Sequence, residues 1–323
     1  LDMIRESRSL VFKTDKHGFR NDKNLEEAEI ILIGDSFIVG NGTSQEFIPS
    51  NVLSKKISKN VANIAYPGGP KEYEKMILNS LDKIRKNAKL YIFYFEGNDF
   101  FNMKKKMDRH LEKKKMKKKF TDLFLSNTWL FYQKIENYKS VYISMIYPKN
   151  QVFFKLVRMK SGKLNQDFYR NIYKFLKGKG TYSWMDDEKK INYKKEIDIL
   201  KIDENFMGFY NEYIQVTENN NNQQTHIIKN LKVLERLEGI FFIPTKFRVY
   251  SKILEKEINK NHSLSFLKEK YSQHNIPVYD LTFALQIGAK NYIKDNKFMY
   301  WKDDTHWNQN GINVAMDEVK NIY

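Results

Sequence analysis

The chain of 323 residues is 41% hydrophobic and 15% aromatic, enough apolar surface for a large core, which excludes both a disordered chain and a stapled mini-protein. Cysteine is absent, so disulfide frameworks, thiolate metal sites and cysteine nucleophiles are excluded, while the redox compartment is left open. Lys and Arg number 56 against 39 Asp and Glu, a net charge of +17 that favours anionic partners such as acidic glycan, anionic lipid headgroups or nucleic acid.

Residues 1–25 form a lead segment. Within it, His17-Gly18-Phe19-Arg20-Asn21 reads either as a turn at Gly18 leading into a sheet or as a source of pocket side chains from Arg20 or Asn21. Glu29–Ile33 (EIILI) then predicts a buried strand ending at Gly34. Val61–Ala65 and the aromatic run Leu90–Phe95 predict two more. Between the last two, Pro70 suits a first helical turn. Tyr73, Ile77, Leu81, Ile84 and Ala88 follow at spacings of four, four, three and four, one apolar stripe. Strand, helix and strand joined by short connections argue for βαβ units and a parallel sheet.

The rhythm breaks over 101–225. Met103–Lys119 carries ten basic residues with only Asp108 and Glu112 opposing them, a net of +8. An aromatic stretch follows, and Asn219–Asn222 reads as a loop. This segment is expected to be a helical insertion, a lid or an accessory region. Its basic run Lys104–Lys119 reads as a solvated face, as a contact for an anionic membrane surface or acidic polysaccharide, or as a nucleic-acid contact. The last has no reading module to support it, so no specific nucleic acid is expected. The strand pattern returns at Gly239–Ile243 (GIFFI), stopped by Pro244, and at Pro277–Leu281. Helical sequence lies between, from about Ser251 to His274. A last helix, capped by Asn308, presents Ile312, Ala315, Met316, Val319 and Ile322. The expected core is therefore 26–100 with 226–323.

Polar residues of one chemical kind collect at the expected strand ends. Strand one ends Gly34-Asp35-Ser36-Phe37, strand two runs into Tyr66-Pro67-Gly68-Gly69-Pro70, strand three into Glu96-Gly97-Asn98-Asp99, and Asp303-Asp304-Thr305-His306-Trp307 precedes the last helix. Carboxyl ends of parallel strands are where open α/β folds bind ligands. A serine there can attack, with His306 as its base and an Asp two or three residues earlier orienting the imidazole. The Ser36 N–H, the Gly68 N–H and the Asn98 amide offer three donors to a developing oxyanion.

These four blocks, in this order and on these elements, resemble the SGNH/GDSL hydrolase superfamily, in particular a branch acting on envelope polysaccharides. The resemblance covers the two core segments and skips 101–225. It implies a three-layer α/β/α sandwich with a five-stranded parallel sheet, Ser36 as nucleophile, Gly68 and Asn98 as oxyanion donors, His306 as base, and serine acyl transfer with no metal and no cofactor. The family's usual spacing selects Asp303 as third member; Asp304-Thr305-His306-Trp307 matches the Asp-x-His-Trp of polysaccharide-acylating relatives, which selects Asp304, the preferred choice. Asp35, Lys246 after strand four, and Trp307 are the side chains expected to meet substrate, Trp307 by stacking on a sugar face. The implied function is an esterase acting on an O-acylated, above all O-acetylated, carbohydrate. A transferase using the same triad and a non-catalytic binding protein of the same fold are the alternatives. The chain opens Leu-Asp-Met with no leader visible. An extracytoplasmic or membrane-associated place is the expectation, an anchor preceding this sequence being left open, and a cytoplasmic place is the alternative.

Overall fold

The computed structural model describes residues 8, 10–102, 144–147, 151–154, 197–218 and 223–323. The basic run Lys104–Lys119 and the aromatic stretch after it lie outside the described residues. The chain divides into two compact units, one of Leu1–Lys106 with Tyr193–Tyr323 and the other of Met107–Asn192. In the second unit the described part is an antiparallel hairpin, Ser144–Tyr147 with Gln151–Phe154.

The first unit is built on five parallel strands: β1 (Ile30–Gly34), β2 (Val61–Ala65), β3 (Lys89–Phe95), β4 (Leu237–Ile243) and β5 (Val278–Asp280). Their order across the sheet is β5-β4-β3-β1-β2. The chain moves outward from β1 to β2, then crosses back over β1 to β3, so the order reverses between β1 and β3. The crevice at such a reversal is where doubly wound sheets bind ligands.

Near-continuous apolar runs suit strands buried on both faces, and alternate residues go to opposite sides. Ile30 and Leu32 of β1, with Tyr91, Phe93 and Phe95 of β3, join one core cluster. Ile31 and Ile33, with Leu90, Ile92 and Tyr94, join the other. The first cluster receives Val52 and Leu53 of α2 (Pro49–Ile57) and Ile312, Ala315, Met316 and Val319 of the final helix, α8 (Gln309–Ile322). The second receives Tyr73 and Ile77 of α3 (Pro70–Leu78) and Leu267 and Tyr271 of α6 (His262–Ser272). Helices thus cover both faces of the sheet. Among the described residues no helix is long and apolar enough to cross a membrane.

Three expectations are corrected. The helix from Pro70 ends at Leu78 rather than running on to Ala88: Asn79 closes it, and Ser80 O accepts from Lys83 and Ile84 N–H in a following turn. Asn and Ser compete for backbone groups and so favour caps and turns over helix interiors. Ile84 and Ala88 are buried all the same, which is why the apolar stripe reads past the helix end. The helical sequence expected from about Ser251 to His274 is helical only over α6 (His262–Ser272): a short α5 (Lys246–Tyr250) ends before it, 251–261 are turn and irregular chain, and α6 starts at Asn261, whose side chain accepts from Leu264 N–H at 3.0 Å.

The third correction concerns the insertion. Its last part is neither helical throughout nor separate from the core. Ile197–Ile202 and Asn205–Tyr210 form a hairpin turning at Asp203 (φ 54°), and α4 (Asn211–Glu218) follows. Met207 and Phe209 are buried in the first core cluster, and the Tyr213 ring meets Phe95 edge-on at 5.4 Å. The second core segment therefore begins near Tyr193, not at 226. Ile197, Ile199 and Met207, Phe209 repeat with period two, the signal of a half-buried hairpin, and the surrounding Lys/Tyr-rich sequence obscured it.

Candidate active site

The site begins with a tight exit from β1. A Cβ at Gly34 would stand 2.6 Å from Ile38 Cγ1, so only glycine lets α1 (Ser36–Val39) fold straight back over the strand end. Asp35 caps α1, its Oδ1 accepting from Phe37 N–H at 2.9 Å. Gly40 ends it in the left-handed region at φ 77°. Ser36 is the first residue of this turn. Its N–H therefore has no intrahelical acceptor.

Opposite Ser36 stands His306, carried by a loop that runs from Met299, beyond α7 (Thr282–Tyr292), into α8. That loop is pinned at its base: Asn308 N–H donates to Met299 O at 2.9 Å and Trp301 N–H to His306 O at 3.1 Å. His306 Nε2 lies 2.7 Å from Ser36 Oγ, and Nδ1 lies 2.8 Å from Asp304 Oδ1. The same Asp304 oxygen accepts the His306 backbone N–H at 3.2 Å. The Phe37 ring packs against the imidazole with 4.9 Å between centroids. Ser36, His306 and Asp304 therefore form one continuous chain of hydrogen bonds. Burial raises the Asp304 carboxyl, but the hydrogen bond and charge of His306, with the charge of Arg8, outweigh it and hold the group well below the usual carboxylate range.

Asp303 faces elsewhere. Its Oδ1 accepts from Arg8, whose other terminal nitrogen lies 3.5 Å from Asp304 Oδ2. The Arg8 guanidinium also stacks on Trp301 at 4.3 Å. Arg8, absent from the sequence-derived site, thus sits across both acids. A single arginine in a polar lead segment carries no local signal of such a role.

Three residues expected to meet substrate are committed inward. Lys246 is 3% exposed, and its three Nζ protons are shared among four carbonyls: Gly208 O at 2.7 Å, Trp301 O at 2.6 Å, and Lys302 O and Asp304 O at 3.1 Å each. It ties the hairpin to the histidine loop instead of contacting ligand. Trp307 is fully buried, its Nε1 donating to Phe37 O at 3.1 Å, so no face is open for a sugar. Asp35 is buried beneath Ser36. Burial raises its carboxyl, against the Phe37 N–H, the His306 charge and the Asn98 amide, which all favour the ionised form. Asp35 Oδ2 closes no hydrogen bond, so the Asn98 amide stands beside it without a full bond.

The expected oxyanion donors are placed unequally. Asn98 is exposed in the turn after β3, next to Asp35 and across the reversal from Ser36. Gly68 is turned away from this role: its N–H donates to Tyr66 O at 2.6 Å, a local closure that spacing could not reveal. Beside Asn98, Asp99 is buried and accepts from Tyr73 Oη and Phe95 N–H. Burial first, and then the nearby Asp35 charge, push it well up. Glu96, also from the third block, is fully buried and paired with Arg248, whose Nε lies 2.8 Å from Oε1. A charged residue ending an aromatic strand demands such a partner, and that was the available signal for the pair.

The lead-segment motif is structural. The Arg20 guanidinium donates to the carbonyls of Val11, Val39, Gly40 and Thr43 and to the Gln45 side chain, fixing the loop after α1. Asn21 exchanges two hydrogen bonds with the Asn63 backbone, at 2.8 and 3.0 Å, on the outer edge of β2. Among the described residues no group of three or more His, Asp or Glu is placed to hold a metal ion. A scan against models of known protein families returns no match, and a search of the curated proteins finds none that matches the chain.

Proposed function

We propose that the protein is a serine esterase of SGNH type that removes an acyl group from an O-acylated carbohydrate. The single observation that carries this reading is the Ser36–His306–Asp304 chain, at 2.7 and 2.8 Å, standing where the strand order reverses.

Each atom then has a task. His306 Nε2 takes the Ser36 Oγ proton as Oγ attacks the ester carbonyl, and Asp304 holds the Nδ1 proton and stabilises the imidazolium. The oxyanion is met by the Ser36 N–H and the Asn98 amide, whose nitrogen carries two protons, so facing Asp35 leaves one for the substrate. Collapse breaks the bond to the sugar oxygen, which takes the proton from Nε2 and leaves as a hydroxyl. Water, activated by the same base, then releases the acid from Oγ. Carbohydrate is supported by the resemblance to the envelope-polysaccharide branch and by Tyr66, 57% exposed beside the Pro67-Gly68 turn, an aromatic face open for stacking.

The test is labelling by a fluorophosphonate probe together with hydrolysis of p-nitrophenyl acetate. Both should be present in the parent chain and lost in Ser36→Ala, with melting temperature unchanged. Labelling or turnover that persists in pure Ser36→Ala would overturn the serine mechanism.

A further inference from the structure

A groove of about 800 Å³ opens on the α3 side of the site, with Asn98 and Gly69 in its near wall. That volume lies in the upper part of the range of small-ligand pockets. Lys71, at the start of α3, stands on one side; Lys229, Lys270 and His274 line it further out, with the amides of Gln224 and Gln273.

The acids of this region are spent within the fold. Glu72 Oε2 accepts the Gly69 N–H at 3.2 Å. The Asp99 carboxyl is buried under Tyr73 and the Phe95 N–H. Glu74 accepts from His226 and from the Lys229 and Asn230 N–H groups. Lys270 pairs with Glu269 at 2.8 Å. Lys71 and Lys229 form no ion pair among the described residues and are exposed on the groove. Glu72 and the buried Asp99 also line the groove, and a backbone N–H leaves the Glu72 charge in place, so Lys71, Lys229 and Lys270 outnumber the lining acids and make the wall net positive, with side-chain amides beside them and an oxyanion donor at one end.

We propose that this groove is a substrate subsite that holds an anionic sugar adjoining the acylated one. The assignment rests on the reading of Ser36 as an acyl-transfer nucleophile, and it names that enzyme's substrate as an acidic glycan. Carboxylate and phosphate sugars share the required charge, whereas neutral sugars lack it.

The experiment is calorimetric titration of the full chain with trigalacturonate, glucose 6-phosphate and maltotriose, at low and high salt. Lys71→Gln/Lys229→Gln is titrated alongside; both positions are exposed, so its melting temperature should match the parent's. Trigalacturonate or glucose 6-phosphate should bind, more weakly at high salt, and about five- to tenfold more weakly in the double variant. Whichever of the two binds identifies the anionic group. Hydrolysis of p-nitrophenyl acetate, which carries no anionic group for Lys71 or Lys229 to hold, should be unchanged in the double variant. No binding of either anion, equal binding of maltotriose, or undiminished binding by the double variant would each overturn the subsite. Binding does not require turnover: a chain that binds the anion but fails to hydrolyse any ester refutes the esterase, and one that hydrolyses the ester without binding the anion refutes the groove alone.

Discussion

Replacing Asp304 by Asn separates the two neighbouring acids. In the parent, Asp304 Oδ1 accepts from both Nδ1 and the backbone N–H of His306, at 2.8 and 3.2 Å, while Oδ2 faces Arg8 at 3.5 Å. An amide must put its NH₂ against one side or the other. The guanidinium repels it, which favours the amide oxygen toward Arg8 and NH₂ toward the imidazole. Nδ1 must then be the acceptor, so the ring proton moves to Nε2, where it faces Ser36 Oγ and blocks proton removal. The variant also lacks the negative charge that stabilises the imidazolium. Together these should lower kcat/KM by about 10³–10⁴, or roughly 4–5.5 kcal/mol of transition-state stabilisation. Asp303→Asn keeps the Asp304–His306 bonds and should stay within about tenfold of the parent, since it removes only a charge paired with Arg8. Initial rates on p-nitrophenyl acetate, with circular dichroism to check folding, measure both. If Asp303→Asn is the damaging change, or the two variants are equal, the assignment of Asp304 is wrong.

Other expectations follow from the same geometry. Lys246→Met removes the ammonium shared by four carbonyls of the hairpin and histidine loop, of which Lys302 O keeps the Gly208 N–H; it should cost about 3 kcal/mol or more of stability by urea unfolding and lower kcat, and an unaltered midpoint would show that the tether is dispensable. Asn98→Ala should reduce kcat by about 10²–10³ with little change in KM, because the charge it meets exists only in the transition state; a loss confined to KM would reassign Asn98 to substrate binding. Asp99 is held well up by burial, so its folded-state pKa lies above the unfolded one. Its contribution is complete below about pH 4 and declines as pH rises toward the folded value. The melting temperature of Asp99→Asn relative to the parent should therefore rise from pH 4 to pH 7, and a constant difference would contradict the raised carboxyl.

Local pattern alone determined much of this protein. Apolar runs bounded by Gly or Pro located β1 to β4, because a buried strand leaves that mark wherever it occurs, and the half-exposed edge strand β5 was located by its short run after Pro277. Glycine at 34 and the Asn308 cap are likewise local, set by backbone geometry within a few residues. Tertiary structure decided what depends on distant partners. Asp303 and Asp304 are chemically identical in sequence, and the folded path of their loop turns Asp304 onto His306 Nδ1 at 2.8 Å and Asp303 onto Arg8, 295 residues away. Lys246 reads as a substrate contact until the carbonyls of Gly208, Trp301, Lys302 and Asp304 converge on it. Trp307 reads as a stacking face until α1 covers it and takes its N–H. The 197–218 segment reads as insertion because its hairpin and helix gain their buried face only against the core. In each case the deciding interaction joins residues far apart along the chain, and period, cap and turn chemistry carry no record of it.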